Sequence, residues 1–220
     1  MNNGVRLVEQ RLIAGILLVA LLLGWTNTIW PSITHAQSQT APNHVDWEKV
    51  IGENELSRTV ASRLLRGIAF ANLGQLPRAL KELEIAGEDG YREEVAEFVL
   101  DNLRQLRRSP EDLLLLNCAA FGSYAFGDLE QSISYFEEII RLAPTVAWSR
   151  NFCAIVCGQT GEIERAQVHL ERALKLDPKN QYTHLLLSAI YKEKGQYIMA
   201  LFHYLQAPDA ISELRRHGVL

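Results

Sequence analysis

Gly127, Gly161 and Gly195 stand 34 residues apart, and this interval constrains the fold more than any other feature of the 220-residue chain. Ser132, Ala166 and Ala200 follow five residues after each glycine. Phe136, Leu170 and Tyr204, then Ile139, Ala173 and Ala207, keep the same interval. Pro144 and Pro178 close two of the three units. One such glycine would carry no information. Several kinds of position recurring at one period mark stacked units, none of which can bury its apolar side alone. Apolar residues recur at three- and four-residue spacing, and no stretch alternates with period two for long, so the units are read as helical. The 48% apolar content, with 14 Gly and 7 Pro, excludes collagenous and natively disordered chains.

The pattern resembles the tetratricopeptide repeat, a helix-turn-helix unit of 34 residues. The resemblance implies an all-α, α-solenoid fold of antiparallel helix pairs A and B, with the glycine in the A-to-B turn. Small residues stand at the close-approach position of helix A, namely Ala120, Ala154 and Ser188. The position three residues later holds Ser123, Cys157 and Tyr191, and only the last matches the family's tyrosine. The family's tryptophan position holds Leu116, Arg150 and His184 instead. Three units are expected over 110–208. A degenerate one spans 56–90, on Gly67, Phe70, Gly74, Ala79, Leu83 and Ala86. Gly74 and Gly127 are 53 residues apart, 19 more than one repeat, so one helix is inserted over 91–109. It either bends the stack or packs outside it. Residues 209–220 read as a short polar capping helix and tail, and 37–55 as a polar linker in which Val45, Trp47, Val50 and Ile51 form a short docking helix. Ser109-Pro110-Glu111-Asp112 reads as a helix start, with Ser109 as N-cap and Pro110 at the first helical position.

Before the repeats, Arg6 and Arg11 precede an apolar run from Leu12 to Leu23, extended more weakly to Trp30 and ended by Pro31. Two readings fit residues 1–36. A signal peptide would be cleaved after Ala36, at the small-x-small pattern Thr34-His35-Ala36. An uncleaved anchor would use Leu12–Trp30, since about 20 helical residues span a bilayer core. The cleavage pattern favours the first. In both, arginines ahead of the run send the rest of the chain across the membrane. The expected localisation is therefore exported (secreted, periplasmic or cell-envelope), or membrane-anchored by one N-terminal transmembrane helix. Together with the repeat class this reads as a bacterial-type exported or anchored protein.

The 22 Lys+Arg against 26 Asp+Glu give a net charge of −4 without a basic block, a poor basis for binding nucleic acid. The six His show no H-E-x-x-H or related metal spacing, and His184 with His203 on neighbouring helices lacks a third ligand. Cys153 and Cys157, one turn apart, read as buried thiols of the repeat core ahead of metal or redox roles. No phosphate loop or nucleophile motif occurs. The chain is read as non-enzymatic, with no cofactor and no metal.

What remains is a surface. The family resemblance implies that helix A lines a concave face that takes protein or peptide segments. Carried over position by position, the partner-binding residues are Asn117, Phe121, Tyr124, Trp148, Asn151, Ile155, Gln159, Tyr182 and Leu185. Asn117 and Asn151 occupy the same place in consecutive units, where the resemblance implies bonding to a ligand's backbone. The alternative is that these aromatics pack between neighbouring repeats or against the inserted helix. Two function classes follow: a protein–protein interaction and assembly module of the cell envelope, or a structural subunit of an oligomeric or membrane complex without an exchangeable ligand.

Overall fold

The computed structural model describes residues 44–86 and 89–217. The export segment, its cleavage site and the spacer before residue 44 lie outside them. Among the described residues there are eleven α-helices, one 3-10 turn and no strand. None of these helices is long and apolar enough to cross a membrane. They fall into two compact units that meet in sequence at Pro144 and Thr145.

The first unit begins with α1 (Trp47–Asn54), capped by Asp46, whose carboxylate accepts from the Lys49 amide at 2.9 Å. Its buried Trp47 and Val50 pack on Ile68, Ala69 and Cys118. Next come α2 (Val60–Asn72) and α3 (Leu76–Ala86), an antiparallel pair, then α4 (Arg92–Leu106) and the pair α5 (Leu113–Phe126) and α6 (Leu129–Leu142). Helix α4 lies in the inserted stretch. It packs on α5 and α2, the first helices of their pairs. The contact with α5 is close because Gly122 has no side chain: a Cβ there would lie 2.7 Å from one Val99 methyl and 2.9 Å from the other.

The start of α5 differs from the sequence expectation. Asp112, not Ser109, is the N-cap, accepting from the Leu115 amide at 3.0 Å. The Ser109 amide donates back to Gln105 and Leu106, closing α4, and the Asp112 amide donates to the Ser109 carbonyl at 3.1 Å. Pro110 thus occupies the second position of a four-residue turn, which its fixed φ suits as well as a helix start.

The second unit contains α7 (Ala147–Gln159), α8 (Ile163–Leu176), α9 (Gln181–Glu193), α10 (Tyr197–Leu205) and α11 (Pro208–Arg216). Helices α7 and α8 pair, as do α9 and α10, and α8 and α11 each pack on α9. Helix α11 is amphipathic rather than polar all round. It buries Ala210, Ile211 and Leu214 against Leu185 and Ala207, flanked by Tyr182, Leu186 and Tyr204. It therefore covers α9 in the way a capping helix must.

The turns between paired helices use left-handed backbone at Gly74, Gly127, Gly161 and Gly195, with φ from 70° to 82°. At Gly161 a Cβ would meet nothing within 4 Å, so space is not the constraint; φ of +82° is. Gly161→Val should destabilise the chain by roughly 1–3 kcal/mol through backbone strain alone. Urea unfolding checks it, and an unchanged midpoint would mean that the turn accepts a β-branched residue without strain.

Candidate functional site: the helix-A faces

In both units the helix-A residues assigned to partner binding are largely occupied by the protein itself. In the first, Asn117 is buried, accepting from the Asn72 side-chain amide at 3.0 Å and donating to the Leu113 carbonyl at 2.7 Å. Phe121 is half-buried, edge-on to Phe136 at 5.4 Å, and packs with Leu114 and Phe98 against the cluster holding Trp47 and Cys118. Tyr124 is buried. Side chains from α1 and α4 thus join those of α5 and α2, as the packing alternative anticipated.

In the second unit, Asn151 has no exposed surface. Its amide donates to Thr183 Oγ1 at 2.9 Å, and its carbonyl oxygen accepts from the same hydroxyl at 3.0 Å. Trp148 is 6% exposed, with ring centroids 5.7 Å from Tyr182 and 6.0 Å from Phe152. Leu185 is buried beneath α11. Tyr182 is half-buried and its hydroxyl donates to Glu213 at 2.7 Å. Burial first, and then Glu213, raise its pKa. Ile155 and Gln159 are half-buried.

The expectation that this strip is open therefore needs correction for Asn117, Tyr124, Trp148, Asn151 and Leu185. Their physical role is lateral. A repeat has to hold the next helix A as well as its own helix B, and an amide or a large ring one turn into helix A reaches that neighbour. Asn72 with Asn117, and Asn151 with Thr183, are the same device in two places: a buried amide satisfied by a polar side chain of the neighbouring helix A, where an unpaired one would cost about 1–3 kcal/mol. Phe121, Ile155, Gln159 and Tyr182 retain part of their surface.

Two further features of the second unit stand out, and the sequence reading missed the first. One is the outer face of α10, where Tyr197, Ile198, Met199, Leu201, Phe202 and Leu205 are between 41% and 86% exposed. The signal was available: TyrIleMetAlaLeuPheHisTyrLeu is apolar nearly all round, more than a helix with one buried side requires. The other is a buried histidine pair. His184 and His203 approach at 2.9 Å between their Nδ1 atoms, and His203 stacks on Tyr191. His184 Nε2 faces the Pro178 carbonyl at 3.2 Å, which can only accept, so His184 Nδ1 accepts the Nδ1–H of His203.

Burial first, and then the charge of His184, hold His203 below the usual histidine pKa, with Glu171 opposing. Below about pH 6.5 the unfolded chain binds more protons here than the folded one. The stability this site supplies is complete above about pH 6.5 and is lost as pH falls through that value toward the folded pKa. Between about pH 7.5 and pH 5.5 the parent chain should lose more unfolding free energy than His203→Gln; equal losses would remove His203 from the account.

Similarity to known proteins agrees with the helix pairing. The model of the tetratricopeptide repeat family matches residues 154–180, which run from α7 through α8 to the cap of α9. Residues 154–180 are thus similar to one tetratricopeptide repeat. It is 25% identical over 196 residues to tetratricopeptide repeat protein 21A of Mus musculus, an alignment covering 81% of this chain and 14% of that protein. The chain thus spans a small part of that relative's length. Among solved structures, one described as MamA RS-1 ArsTM double mutant superposes with a TM-score of 0.50 at 16% identity, covering 78% of this chain and 84% of that one. Another, MamA MSR-1 C2, has a TM-score of 0.50 at 15% identity and covers 78% and 95%. At these identities the likeness concerns the fold. The repeat match is in keeping with a protein–protein interaction module.

Proposed function

We propose that the chain is a non-enzymatic assembly module of the cell envelope that acts by binding protein. The envelope location is supported by Arg6 and Arg11 ahead of the apolar run Leu12–Leu23. The observation that carries the binding role is the outer face of α10. Ile198, Leu201, Phe202 and Leu205 fall at helix-stripe spacing, flanked by Tyr197 and Met199, and none of the six carries charge. Together they offer on the order of 800 Å² of side chain, about what one partner contributes to a standard-size interface. Contiguous apolar surface beyond a few hundred Å² marks an interaction site. By comparison, only Phe121, Ile155, Gln159 and Tyr182 of the nine assigned helix-A residues stay partly exposed for a partner segment.

The occupant proposed for α10 is a second copy of the chain. An uncharged stripe is self-complementary across a twofold axis, where residue i of one copy meets residue j of the other and j meets i, with no like charges opposed. Sedimentation equilibrium of the full chain in density-matched detergent tests this. The parent should be a dimer at micromolar concentration, and Ile198→Glu with Leu205→Glu, at exposed positions, should be a folded monomer. A monomeric parent, or a dimer that survives both charges, overturns the assignment. The second reading, a constitutive subunit, is favoured by the filling of the helix-A faces. It predicts a dimer that does not dissociate on dilution, whereas an exchanging module does.

A further inference from the structure

Cys153 and Cys157 lie one turn apart on α7, and α8 brings His169 across to them. The two sulfurs and a ring nitrogen of His169 all lie within 4.8 Å of one another, and all three residues are buried. Cys153 Sγ is 3.6 Å from His169 Nε2. An ion about 2.3 Å from sulfur and about 2.0–2.1 Å from an imidazole nitrogen holds those donors about 3.5 Å apart at a tetrahedral angle, slightly farther at a trigonal one. The observed separation already has that span. We propose that Cys153, Cys157 and His169 form a three-coordinate site for one soft monovalent metal ion, copper(I).

Donor type and donor number select this ion. Thiolates favour soft cations such as copper(I), whereas a structural zinc site needs four ligands. Among the described residues this group has three members. Binding sends the two thiol protons to solvent, so two thiolates, a neutral imidazole and a monovalent cation sum to one negative charge. Arg150, 9% exposed and three residues before Cys153 on the same helix, supplies the compensating positive charge. Burial first, and then the nearby Arg172, lower the pKa of that guanidinium, with Cys153 opposing. The bound ion would also join helix A to helix B within one repeat, so occupancy would be read as stability of the second unit.

The test is anaerobic titration of the reduced full chain with copper(I) against the chelator bicinchoninate, with X-ray absorption to identify the donors. One copper(I) per chain is expected, with two sulfur and one nitrogen donors and a raised melting temperature. Because even outer-shell partners of a metal are worth about 10–100-fold, Cys153→Ala and Cys157→Ala should each weaken retention by at least about 100-fold. Cys118→Ala should not change it: Cys118 is in the first unit, and burial pushes its thiol up to about 12. Circular dichroism of the metal-free variants separates loss of a ligand from loss of fold, and His169→Gln gives a second route should a cysteine variant misfold. The proposal is overturned if the parent yields its copper to the chelator, if the double cysteine variant retains copper equally, or if zinc(II) is held more tightly than copper(I).

Discussion

Trp148→Ala is expected to remove about 3–5 kcal/mol of stability, the usual cost of deleting a large buried ring. A chain of this size, melting as a whole, should then melt roughly 6–20 °C lower. The indole is 6% exposed and its neighbours are Tyr182 and Phe152, so its removal leaves a cavity walled by two aromatic rings. Adding Asn151→Ala leaves the Thr183 hydroxyl without its buried partner, at a further cost of about 1–3 kcal/mol. An open recognition strip would predict the opposite: nearly intact melting and weakened partner capture. Urea unfolding separates the two. A loss below about 1 kcal/mol for Trp148→Ala would return the indole to the surface and restore the strip.

Glu82→Ala should cost about 3 kcal/mol, at the low end of the 3–5 kcal/mol typical of breaking a buried pair, because Glu82 retains 20% of its side-chain surface. Glu82 takes two bonds from Arg66, at 3.2 Å from Nε and 2.8 Å from Nη2, and lies 3.4 Å from Arg63. Without it, the Arg63 and Arg66 guanidinium groups, both on α2, lose the α3 carboxylate they share. Arg66 also donates to the carbonyls of Asn54 and Ser57, tying the end of α1 and the following loop to α2. Replacing both partners, Arg66→Met with Glu82→Leu, should recover much of the loss, since the remaining cost is then the two backbone bonds. A loss from Glu82→Ala below about 1 kcal/mol would make this an ordinary surface pair.

The parts of this protein legible in the sequence are those governed by local rules. A helix pair that reverses in a few residues needs left-handed backbone, so glycine recurs at the turn, and Gly74, Gly127, Gly161 and Gly195 all adopt positive φ. Close helix approach needs small residues, so Ser132 sits fully buried with its hydroxyl donating to the Ala120 carbonyl at 2.9 Å. Even Pro110, placed at a helix start from sequence, was local enough to mark the break, although the turn it supports ends at a different cap.

Tertiary structure decided which side chains of helix A stay open. That depends on what lies beside each helix, and the partners are remote in sequence: Asn72 with Asn117, Asn151 with Thr183, Leu185 with Leu214. A residue at a fixed repeat position has the same local surroundings whether it faces solvent or a neighbour, so periodicity could name Trp148 and Asn151 but not bury them. The same holds for the cluster of Cys153, Cys157 and His169. The two cysteines are visible as a helical pair, but the histidine is brought to them only by the packing of α8 on α7. Sequence alone determined the repeating unit, because a turn's φ and a close contact's volume act on single residues. Occupancy of its surfaces was left to the packing of whole helices, whose contacts no local pattern encodes.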